Sequence, residues 1–153
     1  MKHWHTKKTC SLLFLGILAT LLAACSPGES SEAEKCAKAF ASSYFNLRFE
    51  QAAKLCTQNS EKWIRMQASN IQQQDIDVLN MQKDTAECEV ESIETNADTA
   101  TAVLKIQNFL SCDSVGKPGY ICKQAVFTVT LTKTNDVWQV DLTKPLEKER
   151  TEE

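Results

Sequence analysis

Ala125-Val126-Phe127-Thr128-Val129-Thr130-Leu131-Thr132 alternates apolar and hydroxyl-bearing residues, and Lys133-Thr134-Asn135-Asp136-Val137-Trp138-Gln139-Val140 follows without a break. Successive side chains on a strand point to opposite faces, so this period of two marks two half-buried strands. The polar dipeptide region near Thr134-Asn135 supplies a tight turn, which makes them an antiparallel hairpin. Upstream, Ala102, Leu104 and Ile106 alternate with Thr101, Val103 and Lys105, and Cys88 and Val90 alternate with Glu87, Glu89 and Glu91. Asn96-Ala97-Asp98 turns the chain between them. Four strands joined by short turns predict an antiparallel meander whose first strand has an acidic outer face.

Before Lys83 the period is helical. Ala33, Cys36, Ala37, Phe40, Tyr44 and Leu47 recur at threes and fours between Glu32 and Phe49, with Ser30 or Ser31 placed to cap the start. A short helix over Glu50–Cys56 follows. Asn59 or Ser60 caps a third, from Glu61 towards Met81, whose apolar side carries Trp63, Met66, Ile71, Val78 and Leu79. The polar stretch Gln72-Gln73-Gln74-Asp75 bends or breaks it. Helices first and hairpin-linked strands afterwards imply an α+β domain over residues 32–144, with N-terminal helices packed on one face of a curved four-stranded sheet. Lys144-Pro145 stops the last strand, and residues 145–153 read as a loose charged tail. The chain has no internal repeat.

Phe40 to Thr57, containing Tyr44-Phe45-Asn46-Leu47 and Phe49-Glu50-Gln51-Ala52-Ala53-Lys54-Leu55-Cys56, resembles the opening of the nuclear transport factor two-like, cystatin-type fold. Phe127–Leu131 with Asn135–Val140 is similar to that family's last two strands. The resemblance implies a cone: a long helix lying in the concavity of the sheet, with a cleft between them. Members use the cleft as an isomerase or dehydratase site, as a small-ligand pocket, or as core. By that resemblance Tyr44 is a candidate hydrogen-bond donor to a ligand carbonyl. Asp75, Asp77, Asp113 and Asp141 are the carboxylates near apolar surface that could act as a base. Trp63, Phe109, Phe127 and Trp138 are candidates to line an apolar ligand site, and core packing is the ordinary alternative for each. Four strands make a shallower cup than the larger members have.

At the other end, Lys2, Lys7 and Lys8 precede the apolar run Leu12–Ala19, and Ala23-Ala24 stand before Cys25. These are the three parts of a secretory signal, and the run is shorter than the roughly 20 residues a membrane-spanning helix needs. Leu22-Ala23-Ala24-Cys25 resembles the lipobox of bacterial lipoproteins. The resemblance implies removal of residues 1–24, diacylglycerol on the Cys25 thiol, and acylation of the new amine. Two or more acyl chains anchor stably where one does not. Ser26 stands where Asp often signals inner-membrane retention, so the resemblance implies a lipid-anchored protein of the cell envelope, sorted to the outer membrane. Residues 25–31 then read as a lipid-anchored solvated tether, rich in Pro, Gly and Ser, spanning roughly 10–20 Å.

With the leader gone, fourteen basic side chains face twenty acidic ones, a net charge of −6. An acidic surface with no basic stripe argues against a nucleic-acid partner, and against adhesion to anionic lipid by charge. His3 and His5 are the only histidines and both leave with the leader. The mature chain therefore has no histidine for a Ser-His-Asp or Cys-His centre, a metal site or a pH switch. Five cysteines remain to the domain: Cys36, Cys56, Cys88, Cys112 and Cys122. None lie at zinc-knuckle spacing, and no metal or other cofactor is expected. Cys112 and Cys122 flank a turn-rich stretch between two strands, which suggests a disulfide clamping the mouth of a hairpin; a Cys36–Cys56 pair is a weaker suggestion. Asp84-Thr85-Ala86, Asp98-Thr99-Ala100 and Asp113-Ser114-Val115 each resemble a bacterial O-glycosylation sequon.

Together these observations point to a lipid-anchored envelope protein, not an enzyme, that binds a protein or small ligand or serves as an accessory to an assembly. The alternative is a small enzyme or apolar-ligand carrier that uses the helix–sheet cleft.

Overall fold

The structure, a computed structural model, describes residues 27–112 and 116–152. The leader, Cys25, Asp113 and the sequon Asp113-Ser114-Val115 lie outside the described residues. A long helix α1 (Pro27–Phe45) and a short one, α2 (Phe49–Lys54), come first. A 3-10 turn (Gln58–Ser60) leads into α3 (Glu61–Asn70) and α4 (Gln73–Asn80). Strands β1 (Glu87–Asn96), β2 (Thr99–Ser111), β3 (Tyr120–Thr134) and β4 (Val137–Val140) form an antiparallel meander in that order. This is the expected α+β architecture of helices on one face of an open antiparallel sheet.

Ala33, Cys36, Ala37, Phe40, Ala41 and Tyr44 form one stripe of α1, all of them buried. The stripe packs across β1, β2, β3 and β4. The opposing face is built by register. Ala100, Ala102, Leu104 and Ile106 of β2 stand opposite Leu131, Val129, Phe127 and Ala125 of β3, and all eight are buried. Small side chains on α1 let the helix sit close to the sheet, while Phe40, fully buried, fills the middle. At about 25 cal/mol per Å² this shared apolar layer is the dominant stabilising term. Among the described residues it is assembled between Ala33 and Leu146.

Local chemistry sets the element ends. The Arg48 N–H donates to Ser43 O at 2.8 Å and the Leu47 N–H to Tyr44 O at 3.1 Å, a Schellman close with Leu47 at φ +57° where glycine usually stands. Asn46 then ties that end to the sheet. Its Nδ2 donates to Ala86 O at 3.1 Å and its Oδ1 accepts from the Ala86 N–H at 3.0 Å. Asn135 and Asp136, both at positive φ, make the β3–β4 turn. A register shift between Val90 and Ser92, and Asn108 at φ +54°, interrupt the regularity of β1 and β2.

Three expectations need correction or adjustment. The tether reading of residues 25–31 meets a helix that already begins at Pro27, a residue well suited to a first helical turn. The tail reading of residues 145–153 fails because the chain returns to the sheet. Strand β5 (Arg150–Glu152) pairs with β3 along Gln124–Val126, below the stretch of the same edge taken by β4. Residues 141–149 thus form a strap that leaves the sheet at Asp141, whose N–H donates to Thr130 O, and rejoins it at Glu149, whose N–H donates to Val126 O.

The Cys112–Cys122 disulfide is also not formed. Cys122 stands opposite Phe109, and Cys112 lies three residues further along. At about 3.4 Å per residue that is about 10 Å, on the alternate side of the pleat and beyond the Cα separation a bridge tolerates. Cys122 Sγ donates instead to Gln124 O, and Cys112 Sγ lies against Gly119. Cys36 and Cys56 are likewise unbridged, donating to Trp138 O and Ala52 O, both at 3.2 Å.

Candidate functional site

The C-terminal end of α1, the start of α2, the end of β2 and the middle of β3 bring five aromatic rings together. Phe45 lies 4.7 Å from Phe127 and 5.2 Å from Phe109, centroid to centroid, and those two are 5.6 Å apart. Tyr44 stacks beside them, 5.1 Å from Phe45, and reaches Phe49 of α2 at 5.7 Å. Tilted and edge-on contacts of this kind suit the ring quadrupoles and fix the cluster rigidly. Above it remains a cleft of about 370 Å³, within the range of small-ligand sites. Leu47, Leu110 and Leu146 complete its apolar wall. Gln67, Ser111, Cys112, Glu147 and Lys148 form its rim. The left-handed backbone at Leu47 aims that leucine at the cleft, in a conformation that disfavours any side chain by about 1–2 kcal/mol.

The strap supplies the mouth. Leu146 packs on the core while Lys148 Nζ donates to Ser111 Oγ at 2.9 Å and to Tyr120 Oη at 3.0 Å. The same ammonium sits 5.3 Å from the Tyr120 ring centroid, a cation–π distance. Glu147, next along, binds Lys144 Nζ at 2.6 Å.

Of the residues singled out from sequence, Tyr44 and Phe127 line this cleft, and so does Phe109. Trp63 and Trp138 do not. Trp138 is buried under α1, its carbonyl accepting from Cys36, and its indole N–H has no partner. Trp63 sits half-buried on α3 with Lys62 Nζ 4.8 Å over its ring. The sequence missed Phe45, Phe49, Leu110 and the strap residues. Phe45 continues the four-residue row of Ala37 and Ala41 on α1, so the helical period could have flagged it.

Burial drives the Tyr44 phenol far above its ordinary pKa, with the neighbouring Cys56 and Cys112 thiols adding to the effect. It stays a neutral donor and cannot serve as a base. Of the four carboxylates singled out from sequence, Asp113 lies outside the described residues and the other three are engaged elsewhere. Asp75 accepts the Gln72 N–H and the Gly119 N–H, both at 2.7 Å. Asp77 accepts from Gln73 Nε2, and Asp141 from Thr57 Oγ1. Among the described residues lining the cleft, Glu147 is the one acid, and Lys144 holds it at the rim. The described residues hold no cluster of metal-ligating side chains.

A larger hollow of about 570 Å³ lies beside Asn70, Gln72, Gln73, Gln74, Asp75, Cys112, Gly116 and Lys117. Its one buried charge, Asp75, already has both oxygens committed to backbone N–H groups, so it closes α4 onto the β2–β3 connection and is a weaker candidate for ligand chemistry.

No protein-family model matches the chain, and no curated protein matches it in sequence. Among solved structures it is similar to a protein described as an NTF2-like transpeptidase from Campylobacter jejuni, at 15% identity and a TM-score of 0.46, covering 72% of this chain and 97% of that one. It is also similar to an M. tuberculosis LEH-like epoxide hydrolase, at 10% identity and 0.43, over 74% and 78%. A third similarity is to an NTF2-like protein involved in plasmid conjugation, at 12% and 0.42, over 80% of this chain and 50% of that one. No activity passes from these proteins to this chain. Its fold rests on its own topology: a long helix and short helices laid over an open antiparallel meander.

Proposed function

We propose that this chain is a lipid-anchored protein of the bacterial cell envelope, held at the outer membrane through acylated Cys25, with a non-enzymatic binding role carried by the aromatic cleft. The single observation that carries the binding role is the composition of the cleft: phenyl and leucyl walls, a phenol fixed in its neutral form and, among the described residues, no acid–base pair facing it. Burying an apolar group there is favourable at about 25 cal/mol per Å², whereas proton transfer finds no base among the described residues that line it. The anchoring half rests on Leu22-Ala23-Ala24-Cys25 at the end of the leader's apolar run.

The enzyme alternative has one concrete form, the Ser111 hydroxyl 2.9 Å from the Lys148 amine. In that contact the lysine nitrogen donates and the Ser111 hydroxyl accepts, the opposite of the direction in which an activating base takes a serine's proton. Binding and turnover can be separated on the domain starting at Ser26. An environment-sensitive apolar dye is expected to bind it stoichiometrically and to be lost from Phe109→Asp, while activated esters turn over no faster than in buffer. Turnover that disappears in Ser111→Ala would replace the binding role with an enzymatic one.

A further inference from the structure

We propose that the outer edge of β1 docks an extended segment of another protein, one that alternates basic and apolar residues and adds to the sheet as a further strand. The edge shares no residue with the lining of the aromatic cleft. Among the described residues no strand lies beyond β1. The direction of its backbone groups follows from the register. On β3 the Lys133 N–H faces β2 and donates to Asp98 O, whereas Val126 and Thr130 turn their carbonyls to the opposite edge. Carried through the β2 pairing, the same alternation turns the N–H and C=O groups of Cys88, Val90 and Ile93 away from the sheet. Asn46 meets the same edge one step earlier. Its side-chain amide accepts from the Ala86 N–H at 3.0 Å and donates to Ala86 O at 3.1 Å, the paired bonds that a neighbouring strand would make. It closes the edge for one residue, and the edge lies open beyond it.

What fits there follows from the side chains. Cys88, Val90 and Ile93 stand opposite Ile106, Leu104 and Ala102 of β2 on the face that packs on the core. The three β2 residues are fully buried and the three of β1 only half so, which leaves the apolar layer one strand short. An added strand with apolar side chains on that face would cover them. The opposite face carries exposed Glu87, Glu89 and Glu94, with Glu91 at the register shift, and Lys105 pairs with Glu89 at 3.3 Å. Lysine or arginine at alternate positions of the incoming strand meets these acids across the pair. On the core side, Lys38 and Arg48 lie close enough to act on the Cys88 thiol, so basic residues are disfavoured there. A second copy of the chain fits poorly, because β1 set against its own twin brings glutamate to glutamate. The charges and the bulge deter self-pairing, as an edge strand requires, and admit a strand of opposite charge.

The test uses the intact protein in mild nonionic detergent, at neutral pH and low salt, with three short labelled peptides. One alternates lysine and valine, one alternates glutamate and valine, and the third is the lysine–valine peptide N-methylated at each backbone amide. The lysine–valine peptide is expected to bind roughly tenfold or more tighter than the glutamate–valine one, the effect of a few cross-strand charge pairs. The N-methylated peptide keeps the charge but cannot donate to a ladder, and should not bind measurably. Binding should slow amide exchange at Cys88, Val90 and Ile93 and leave the centre of β3 as it was. Glu87→Gln, Glu89→Gln and Glu94→Gln made together should remove the tenfold preference, with circular dichroism reading whether the sheet is intact. Equal binding of the N-methylated peptide would mean adhesion by charge alone and overturn strand addition. Equal binding of the lysine and glutamate peptides would overturn the basic partner, and so would a preference that survives the triple substitution. Failure of every peptide to bind would overturn the docking edge. Self-association without peptide that protects the same amides would give the edge to a second copy and overturn the proposal as well.

Discussion

Asp75 reaches in two directions at once: one carboxylate oxygen takes the Gln72 N–H at the start of α4, the other takes the Gly119 N–H from the far side of the β2–β3 connection. It is 2% exposed, and its bond to the Gly119 N–H is buried, so that donor would be orphaned if it were removed. Asp75→Ala is expected to lower the unfolding free energy by about 2–4 kcal/mol, since charged hydrogen bonds and orphaned buried donors are each expensive. Urea denaturation of the domain reads this directly, and a change within error would show that the clamp adds nothing. The sequence marks Asp75 only as an acid near apolar surface and near a helix start; its partner 44 residues away belongs to tertiary structure. The thiols give a second residue-scale expectation. Burial is the first cause that lifts Cys36 to about 11, Cys56 to about 12 and Cys88 to about 11, from 9.0. The folded state therefore holds protons that the unfolded chain releases above pH 9. Stability should be flat from pH 6 to 8.5 and fall as pH rises from about 9 towards 12. A stability that rises across that window would contradict the buried, unbridged state of these thiols.

Among the elements, those with strong periodicity were legible in the chain. The α1 stripe and the alternation along β2 and β3 stand where the pattern puts them, and the break between α3 and α4 falls at Ile71-Gln72, at the front of the polar stretch whose residues Gln73–Asp75 open α4. The strap and β5 were not. Arg150-Thr151-Glu152 is three polar residues with no alternation to read, and its pairing is dictated by the length of β3, which leaves Gln124–Val126 open once β4 has taken the other part of that edge. The hairpin disulfide failed for a similar reason: sequence spacing placed both cysteines at the mouth, and register put them three residues out of step. If the strap is held as described, removing residues 149–153 should expose the lower edge of β3. Amide exchange at Gln124–Val126 should quicken, and dye affinity should fall severalfold as Leu146 and Lys148 lose their support. Unchanged exchange there would mean that β5 contributes no protection.

At the scale of the whole molecule, the cleft opens at one end of α1 and the proposed anchor lies beyond the other. A domain hung from Cys25 would then present its aromatic mouth about 28 Å or more along the helix from the lipid, available to a ligand arriving from the aqueous side. If the leader is removed as proposed, the remaining net charge of −6 favours that arrangement, because an anionic membrane surface repels it and attachment is left to the proposed acyl chains. The fold alone would serve an enzyme or a binder equally well, and the choice between them comes from the residues of the cleft.

The most direct measurement is the intact mass of the protein extracted from the membranes of its native host, with fragmentation of its first residues. The expected result is a chain that begins at Cys25 and carries diacylglycerol on its sulfur, with or without a further acyl group on its amine. A chain that retains Lys2–Ala24, or one that begins elsewhere with Cys25 unmodified, would contradict the lipid anchor and remove the envelope from the account.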